Sequence, residues 1–385
     1  MSRLLSQDGL HRFPEPALAY LGTFLYNQFI MEQKYVTKLN IEIYILFKNA
    51  LSLSLTNPGQ LLFFIKTLFS QLKAAGCRAK NEKQGLHVPP FMIFSVTNQC
   101  NLNCHGCYSK QHHKQNDAEL SAEKIRAILT EASRLGISIA LLAGGEPLLK
   151  EGLLETTAQF PEIIFALFTN GLKINNETIK EFRKQKNLIP IISLEGEEPF
   201  TDSRRGTGAY EKLQGTLKKL KKHKVFFGIS LTVTSENFTH IFDGDFIKET
   251  ITAGSRLFFF IEYIPVKENT QRLIVSEIQK KQIGQYVETF RKKYPALFIA
   301  FPSGEEDYGG CLAAGRGFIH ISPAGKLEPC PFSPYSDTDL NRVSLKEALK
   351  SKLLKTIRDN HQNLKETKGG CALWENRQWV ESLTK

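Results

Sequence analysis

From Phe91 onward, short apolar runs alternate with segments whose apolar residues recur every three or four positions. The runs Phe91–Val96, Ser138–Leu142, Ile163–Phe168, Ile189–Leu194, Phe226–Val233 and Leu257–Ile264 predict strands. The helical period is clearest over Ser121–Arg134, Thr207–Lys222 and Ser276–Lys293. Strands that are apolar at almost every position are buried on both faces, which predicts a parallel sheet covered by helices. The fold class is therefore α/β, a partial (β/α)6 barrel of the TIM type. In such folds the chemistry gathers at the carboxyl ends of the strands.

Two flanking regions have a different texture. Residues 1–85 are rich in Leu, Phe, Tyr and Ile, with helices expected near 16–50 and 58–75, parted by Asn57-Pro58-Gly59-Gln60, the second ending at Gly76. Their apolar spacing reads as a helical cap on the barrel; a dimer face or an amphipathic platform on a membrane are the other readings. After Pro302 the chain turns Gly-rich, with a hairpin pattern around Pro323-Ala324-Gly325-Lys326 and a helix near Ser344–Arg358. Three units are expected: 1–85, 86–300 and 301–385, the last a small α+β domain.

Composition narrows the function only a little. With 42% hydrophobic and 23% charged residues, no large region need be disordered, and a net charge of +11 permits anionic partners without choosing among them. The run Leu217–Lys224 looks like a nucleic-acid patch, but its leucines fall at helical spacing, so a solvated outer helix is expected and no nucleic-acid partner. His112 and His113 read as an exposed polar loop. No secretory signal is recognisable at the N-terminus, which predicts a cytoplasmic protein whose seven cysteines are metal ligands more than disulfides.

The chemistry begins at Cys100-Asn-Leu-Asn-Cys104-His-Gly-Cys107, just past the first strand. Thiolates hold iron–sulfur clusters, and a four-iron cluster takes four ligands, so a loop with three leaves one iron open to another molecule. A zinc knuckle is the alternative, but zinc calls for four closed ligands in paired spacing.

This Cys-x3-Cys-x2-Cys spacing, the strand before it and the barrel pattern after it resemble the radical S-adenosylmethionine (radical SAM) superfamily, over roughly residues 88–265. The resemblance implies that Cys100, Cys104 and Cys107 hold a 4Fe-4S cluster whose fourth iron chelates SAM, which on reduction yields methionine and a 5'-deoxyadenosyl radical. It makes Gly144, Gly145 and Glu146 the motif that meets the SAM amino group. Ser193 and Glu195 match positions that touch the ribose and methionine end, and Arg205 an arginine for the SAM carboxylate. Tyr108 becomes a pocket wall, and Thr169-Asn170-Gly171 a part of the rim. One departure stands out: many members carry an aromatic residue just before the third cysteine, where this chain has Gly106.

Cys311, Gly325 and Cys330 are spaced like the opening of the SPASM domain that follows many radical SAM cores, and Cys371 follows later. The central cysteine-dense block is missing, which resembles the shortened twitch form with one auxiliary 4Fe-4S cluster ligated by Cys311, Cys330 and Cys371; zinc or a metal-free hairpin are the alternatives. Cys77 is a remote candidate for the fourth ligand. The resemblance implies an enzyme fed by a reductant such as flavodoxin or ferredoxin, acting on a peptide or protein. Cofactor or tetrapyrrole synthesis, and a non-catalytic Fe-S electron carrier or sensor, are the other readings. Peripheral membrane contact is left open.

Overall fold

The structure, a computed structural model, describes residues 34–53, 58–112, 118–302, 308–361, 364 and 371–384. His113 and the expected helical stretch 16–33 lie outside the described residues.

Two N-terminal helices, α1 (Lys34–Leu53) and α2 (Pro58–Lys83), precede the sheet. Helix α2 runs through Gly76 instead of ending there, because an interior glycine costs a helix only about 1 kcal/mol and removes no hydrogen bond. The chain turns instead at Gly85, whose φ is +76°.

The sheet has nine strands: β1 (Phe91–Thr97), β2 (Ile139–Gly144), β3 (Ile164–Thr169), β4 (Leu188–Leu194), β5 (Gly228–Val233), β6 (Leu257–Glu262), β7 (Leu297–Phe301), β8 (Phe318–Ile321) and β9 (Leu327–Glu328). Their order is β7-β6-β5-β4-β3-β2-β1-β8-β9, and every pairing is parallel except the last. All six expected strands are present, in an open sheet. Strand β7 was not singled out by the alternation. Strand β8, from the C-terminal region, joins the sheet beside β1, with Phe91 opposite Phe318.

Helices on the outer face include α3 (Ala122–Leu135), α4 (Asn176–Lys184), α5 (Glu198–Arg205), α6 (Ala209–Lys222), α7 (Gly244–Thr252) and α8 (Glu277–Lys293). Their ends are written in the sequence. Ser121 caps α3 by accepting from the Lys124 N–H, Gly136 ends it at φ +96°, and Ser276 with Gln279 forms a capping box on α8. On α6, Leu217 and Leu220 are buried while the neighbouring lysines are exposed, the solvated outer face expected of that run.

Inside the barrel the lower two layers are apolar. Phe91, Ile139, Ile164 and Leu257 are among the residues around a cavity of about 340 Å³ at the strands' amino ends, which Leu39, Ile43 and Phe47 of α1 cover. Higher up, Ser95 on β1 hydrogen-bonds His320 Nε2 on β8 at 2.8 Å, and His320 Nδ1 lies 2.7 Å from Glu328 of β9. All three residues are buried, so this chain of polar groups fastens β8 and β9 to the barrel wall.

Candidate functional site

The three-cysteine loop leaves the carboxyl end of β1 and is tied down on three sides. From the first side, Glu119 accepts from the Thr97 hydroxyl at 2.8 Å and the Asn98 N–H at 2.7 Å, while its other oxygen meets Lys150 at 2.9 Å. Burial pushes the Glu119 carboxyl up, but these donors outweigh it and hold it below the usual range.

The second side is the loop after β2. Gly145 N–H donates to the Thr97 carbonyl and Glu146 N–H to the Gln99 carbonyl, both at 2.7 Å. Two backbones run so close here that a Cβ on Gly145 would stand 2.1 Å from the Gln99 oxygen, and one on Gly144, at φ +127°, 2.4 Å from the Thr97 oxygen. The glycines serve this contact first, where the sequence reading assigned them to close approach of a ligand.

The third side is β3. The Glu146 carboxylate is fully buried and accepts from the Thr169 hydroxyl (2.7 Å), the Asn170 N–H (2.7 Å) and the Leu148 N–H (3.1 Å). Burial raises its carboxyl above the usual range despite these donors. Glu146 thus braces β2 against β3, and the surface it offers a ligand is its backbone. Asn170 Nδ2 in turn donates to Asn101 Oδ1 inside the cysteine loop at 2.8 Å.

Cys100, Cys104 and Cys107 are each half-buried thiols in this frame. Burial pushes the Cys100 and Cys104 thiols up; Arg205 and Arg204 pull Cys104 back, and each of the two feels the charge of the neighbouring cysteines. Among the described residues no three of His, Cys, Asp and Glu converge tightly enough for one metal ion. The donor set suits a multi-iron group, in which each thiolate meets its own iron, better than zinc, which draws all its sulfur ligands to about 2.3 Å.

Opposite the cysteines, Glu195 follows β4 and is buried. Its Oε1 accepts from Arg205 Nη2 at 2.5 Å, and its Oε2 from the Thr232 N–H at 3.2 Å and Arg204 at 3.5 Å. Burial pushes the Arg205 guanidinium down, but Glu195 and the thiols more than restore it, so the ion is held charged. The pair binds α5 to the rim between β4 and β5. Replacing Arg205 with alanine strands a buried carboxylate and is expected to cost roughly 3–5 kcal/mol, measured by chemical denaturation. Arg205→Lys is expected to recover only part of it, lacking the planar fork. Ser193 faces the barrel interior, half-buried, with Ser230 beside it in register.

Between these groups lies a polar cleft lined by His105, Glu195, Arg204, Asn237, Tyr263 and Arg272, among others. Tyr263, just past β6, explains the Gly106 departure: a Cβ at Gly106, whose φ is +67°, would stand 2.5 Å from the Tyr263 oxygen. The ring beside the third cysteine comes from across the barrel mouth. Its buried hydroxyl has no hydrogen-bond partner among the described residues.

Tyr108 turns away from this cleft. Its half-buried ring packs edge-on against Phe332 at 5.1 Å, and desolvation, with Cys107 and Cys330 nearby, pushes its phenol up. His112 lies 6.1 Å from the Trp374 ring. The one-turn helix Tyr108–His112 therefore links the first cysteine loop to the C-terminal region. There Cys311, Cys330 and Cys371 are buried. Arg316 shapes the Cys311 loop by donating to the carbonyls of Tyr308, Gly310 and Cys311.

Sequence reasoning passed over Glu119, Asn101, Arg204 and Tyr263. Only Tyr263 had a signal, its place at the end of the sixth predicted strand.

Residues 94–242 match the family model of the radical SAM superfamily. The chain is 24% identical over 316 residues to the AdoMet-dependent heme synthase of Methanosarcina barkeri, covering 75% of this chain and 89% of that protein. It is 26% identical over 202 residues to the sporulation killing factor maturation protein SkfB of Bacillus subtilis, covering 52% of this chain and 48% of that one. Its fold is similar to that of Streptococcus suis SuiB bound to precursor peptide SuiA, with a TM-score of 0.59 at 18% identity over 86% of this chain and 79% of the other. A cysteine loop at the mouth of an open parallel barrel and the match over residues 94–242 lead to one conclusion: this stretch of the chain is a radical SAM domain, the domain of enzymes that work with a 4Fe-4S cluster and S-adenosylmethionine.

Proposed function

We propose that Cys100, Cys104 and Cys107 hold the cluster and that the adjoining polar cleft holds SAM, for radical modification of a peptide or protein side chain. The observation that carries this reading is the bracing of the cysteine loop by Glu119, Gly145, Glu146 and Asn170, which fixes three thiols at the rim where Arg204 and Tyr263 open a cleft. Bound there, a 4Fe-4S cluster supplies the electron for reductive cleavage of SAM.

The chain's own residues do the positioning. Gly144 and Gly145 are half-buried, and their backbone carbonyls would be the acceptors for an ammonium, since the Glu146 carboxylate is spent on β3. Arg204, with 20% of its side chain exposed against 9% for Arg205, is the better placed of the two guanidiniums for a carboxylate. Tyr263 supplies the ring that Gly106 lacks. Tyr263→Phe removes a buried orphan hydroxyl and is expected to leave the ligand-free protein as stable or up to about 1 kcal/mol more so. It should nevertheless raise the KM for SAM severalfold, because the hydroxyl finds its partner only in the complex.

The mostly apolar strands favour an uncharged reacting group. None of the nine strands contains Lys or Arg, so the barrel wall offers no cation to a polyanionic substrate. Cofactor or tetrapyrrole synthesis is the second reading, favoured by the similarity to the heme synthase along most of both chains. We further propose that Cys311, Cys330 and Cys371 carry an auxiliary cluster; a Cys311→Ala protein that keeps its full second complement of iron contradicts that assignment.

Anaerobically reconstituted protein, given dithionite and SAM, is expected to form 5'-deoxyadenosine. Deuterium from a peptide labelled at an apolar side chain should enter that product. A filled cluster that leaves SAM intact overturns the catalytic reading, and turnover without deuterium transfer from any peptide favours the second.

A further inference from the structure

Helices α1 and α2 carry a surface that the site does not use. Among the described residues six large hydrophobic side chains are exposed, and four of them lie here: Ile41 (46%), Ile45 (45%), Leu62 (54%) and Phe69 (61%). On α2 the exposed positions include Leu62, Lys66, Phe69, Lys73 and Lys80, a spacing that falls along one side of a helix. On α1 the exposed Ile41, Ile45 and Lys48 follow the same rule. Neither stripe has an acidic residue. The two helices together hold eight Lys and Arg against two Glu, so +6 of the chain's +11 sits on them.

Apolar side chains interleaved with lysines need a partner that takes both. A second copy docked by two-fold symmetry would set each lysine row against itself. Water satisfies the lysines and leaves Phe69 and Leu62 exposed. An anionic bilayer takes both at once, with aliphatic and aromatic groups entering the acyl boundary and lysines reaching the phosphates. No described helix is long and apolar enough to cross a membrane, so the geometry is that of helices lying on it.

We propose that α2, assisted by α1, seats the protein on an anionic lipid surface through Leu62, Lys66, Phe69 and Lys73. The inner face of α1 covers the apolar cavity at the barrel foot, so the seated face and the barrel interior share one helix. The proposal is independent of the reaction read at the other end of the barrel.

Full-length protein mixed with vesicles of phosphatidylcholine and phosphatidylglycerol is expected to float with them at low salt, and to stay behind with phosphatidylcholine alone. The double variant Lys66→Gln/Lys73→Gln should bind on the order of thirtyfold more weakly. Leu62→Ser/Phe69→Ser should also lose binding, with its secondary structure and iron content unchanged. No flotation with anionic vesicles, or equal flotation of both double variants and the parent, overturns the proposal. So does a concentration-dependent dimer in sedimentation that Leu62→Ser/Phe69→Ser dissolves while vesicle binding is unaffected.

Discussion

Cys104→Ala protein, reconstituted without oxygen and supplied with dithionite and SAM, is expected to form 5'-deoxyadenosine no faster than the protein-free control. Two effects combine. The loop contributes three thiols, so losing one leaves two ligands to hold a cluster that already has one iron uncovered by protein. Cys104 is also the thiol facing Arg204 and Arg205, whose charges favour its ionised, metal-binding form against the pull of burial. The matching control is Cys77→Ala. Cys77 lies on α2, away from the barrel mouth, and its removal should change the rate by less than about twofold, as for a residue outside the machinery. Iron content reads out the two variants independently of turnover: Cys104→Ala loses the first cluster and Cys77→Ala keeps all its iron.

The second large effect is expected at a residue that touches no ligand. Gly145→Ala places a methyl group 2.1 Å from the Gln99 carbonyl oxygen, and both atoms belong to backbone fixed by neighbouring hydrogen bonds. No flexible side chain can yield, so the loop after β2 and the loop before Cys100 must part. The cost is on the order of 3 kcal/mol or more, in the range of severe overpacking. Activity should fall with it, since the same contact sets the height of Cys100 above the sheet. Gly215→Ala gives the contrast. Gly215 sits inside α6 with nothing within 4 Å of an added Cβ, so alanine there should stabilise by roughly 0.5–1 kcal/mol. Urea unfolding of the two variants, with the slope compared to detect any change in compactness, separates a clash from a general intolerance of glycine replacement.

The barrel could be read from the sequence because parallel strands buried on both faces leave an apolar run that little else produces. The six predicted strands, the outer helices with their serine caps and the hairpin at Pro323–Lys326 all appear in the structure. Strand β7 escaped because Leu297–Phe301 follows a long helix closely and lies at the sheet's edge. The pairing of β8 with β1 escaped for a different reason: a parallel contact between segments more than two hundred residues apart leaves no local trace. Its fastening by Ser95, His320 and Glu328 is equally silent in sequence, since each residue alone reads as an ordinary polar interruption.

The site was legible where chemistry is concentrated in a short motif and hidden where it is assembled from afar. Cys100, Cys104 and Cys107 announce themselves by spacing. The partners of Glu146 and Glu195 do not, and these two carboxylates turn out to hold strands and α5 together, a structural role that the motif alone does not disclose. Tyr263 shows how one departure from a pattern is answered elsewhere in the chain: a glycine precedes the third cysteine because a ring from the far side of the barrel already fills that space.

The most direct test of the account uses a Cys311→Ala/Cys330→Ala/Cys371→Ala protein, so that only the first loop can contribute iron. Electron paramagnetic resonance of this protein, reduced without oxygen, is recorded before and after SAM is added. The account predicts about four irons per chain, the content of a single cubane, and a signal that shifts when SAM binds the open iron. A protein that retains no iron at the first loop, or whose reduced signal is indifferent to SAM, contradicts it.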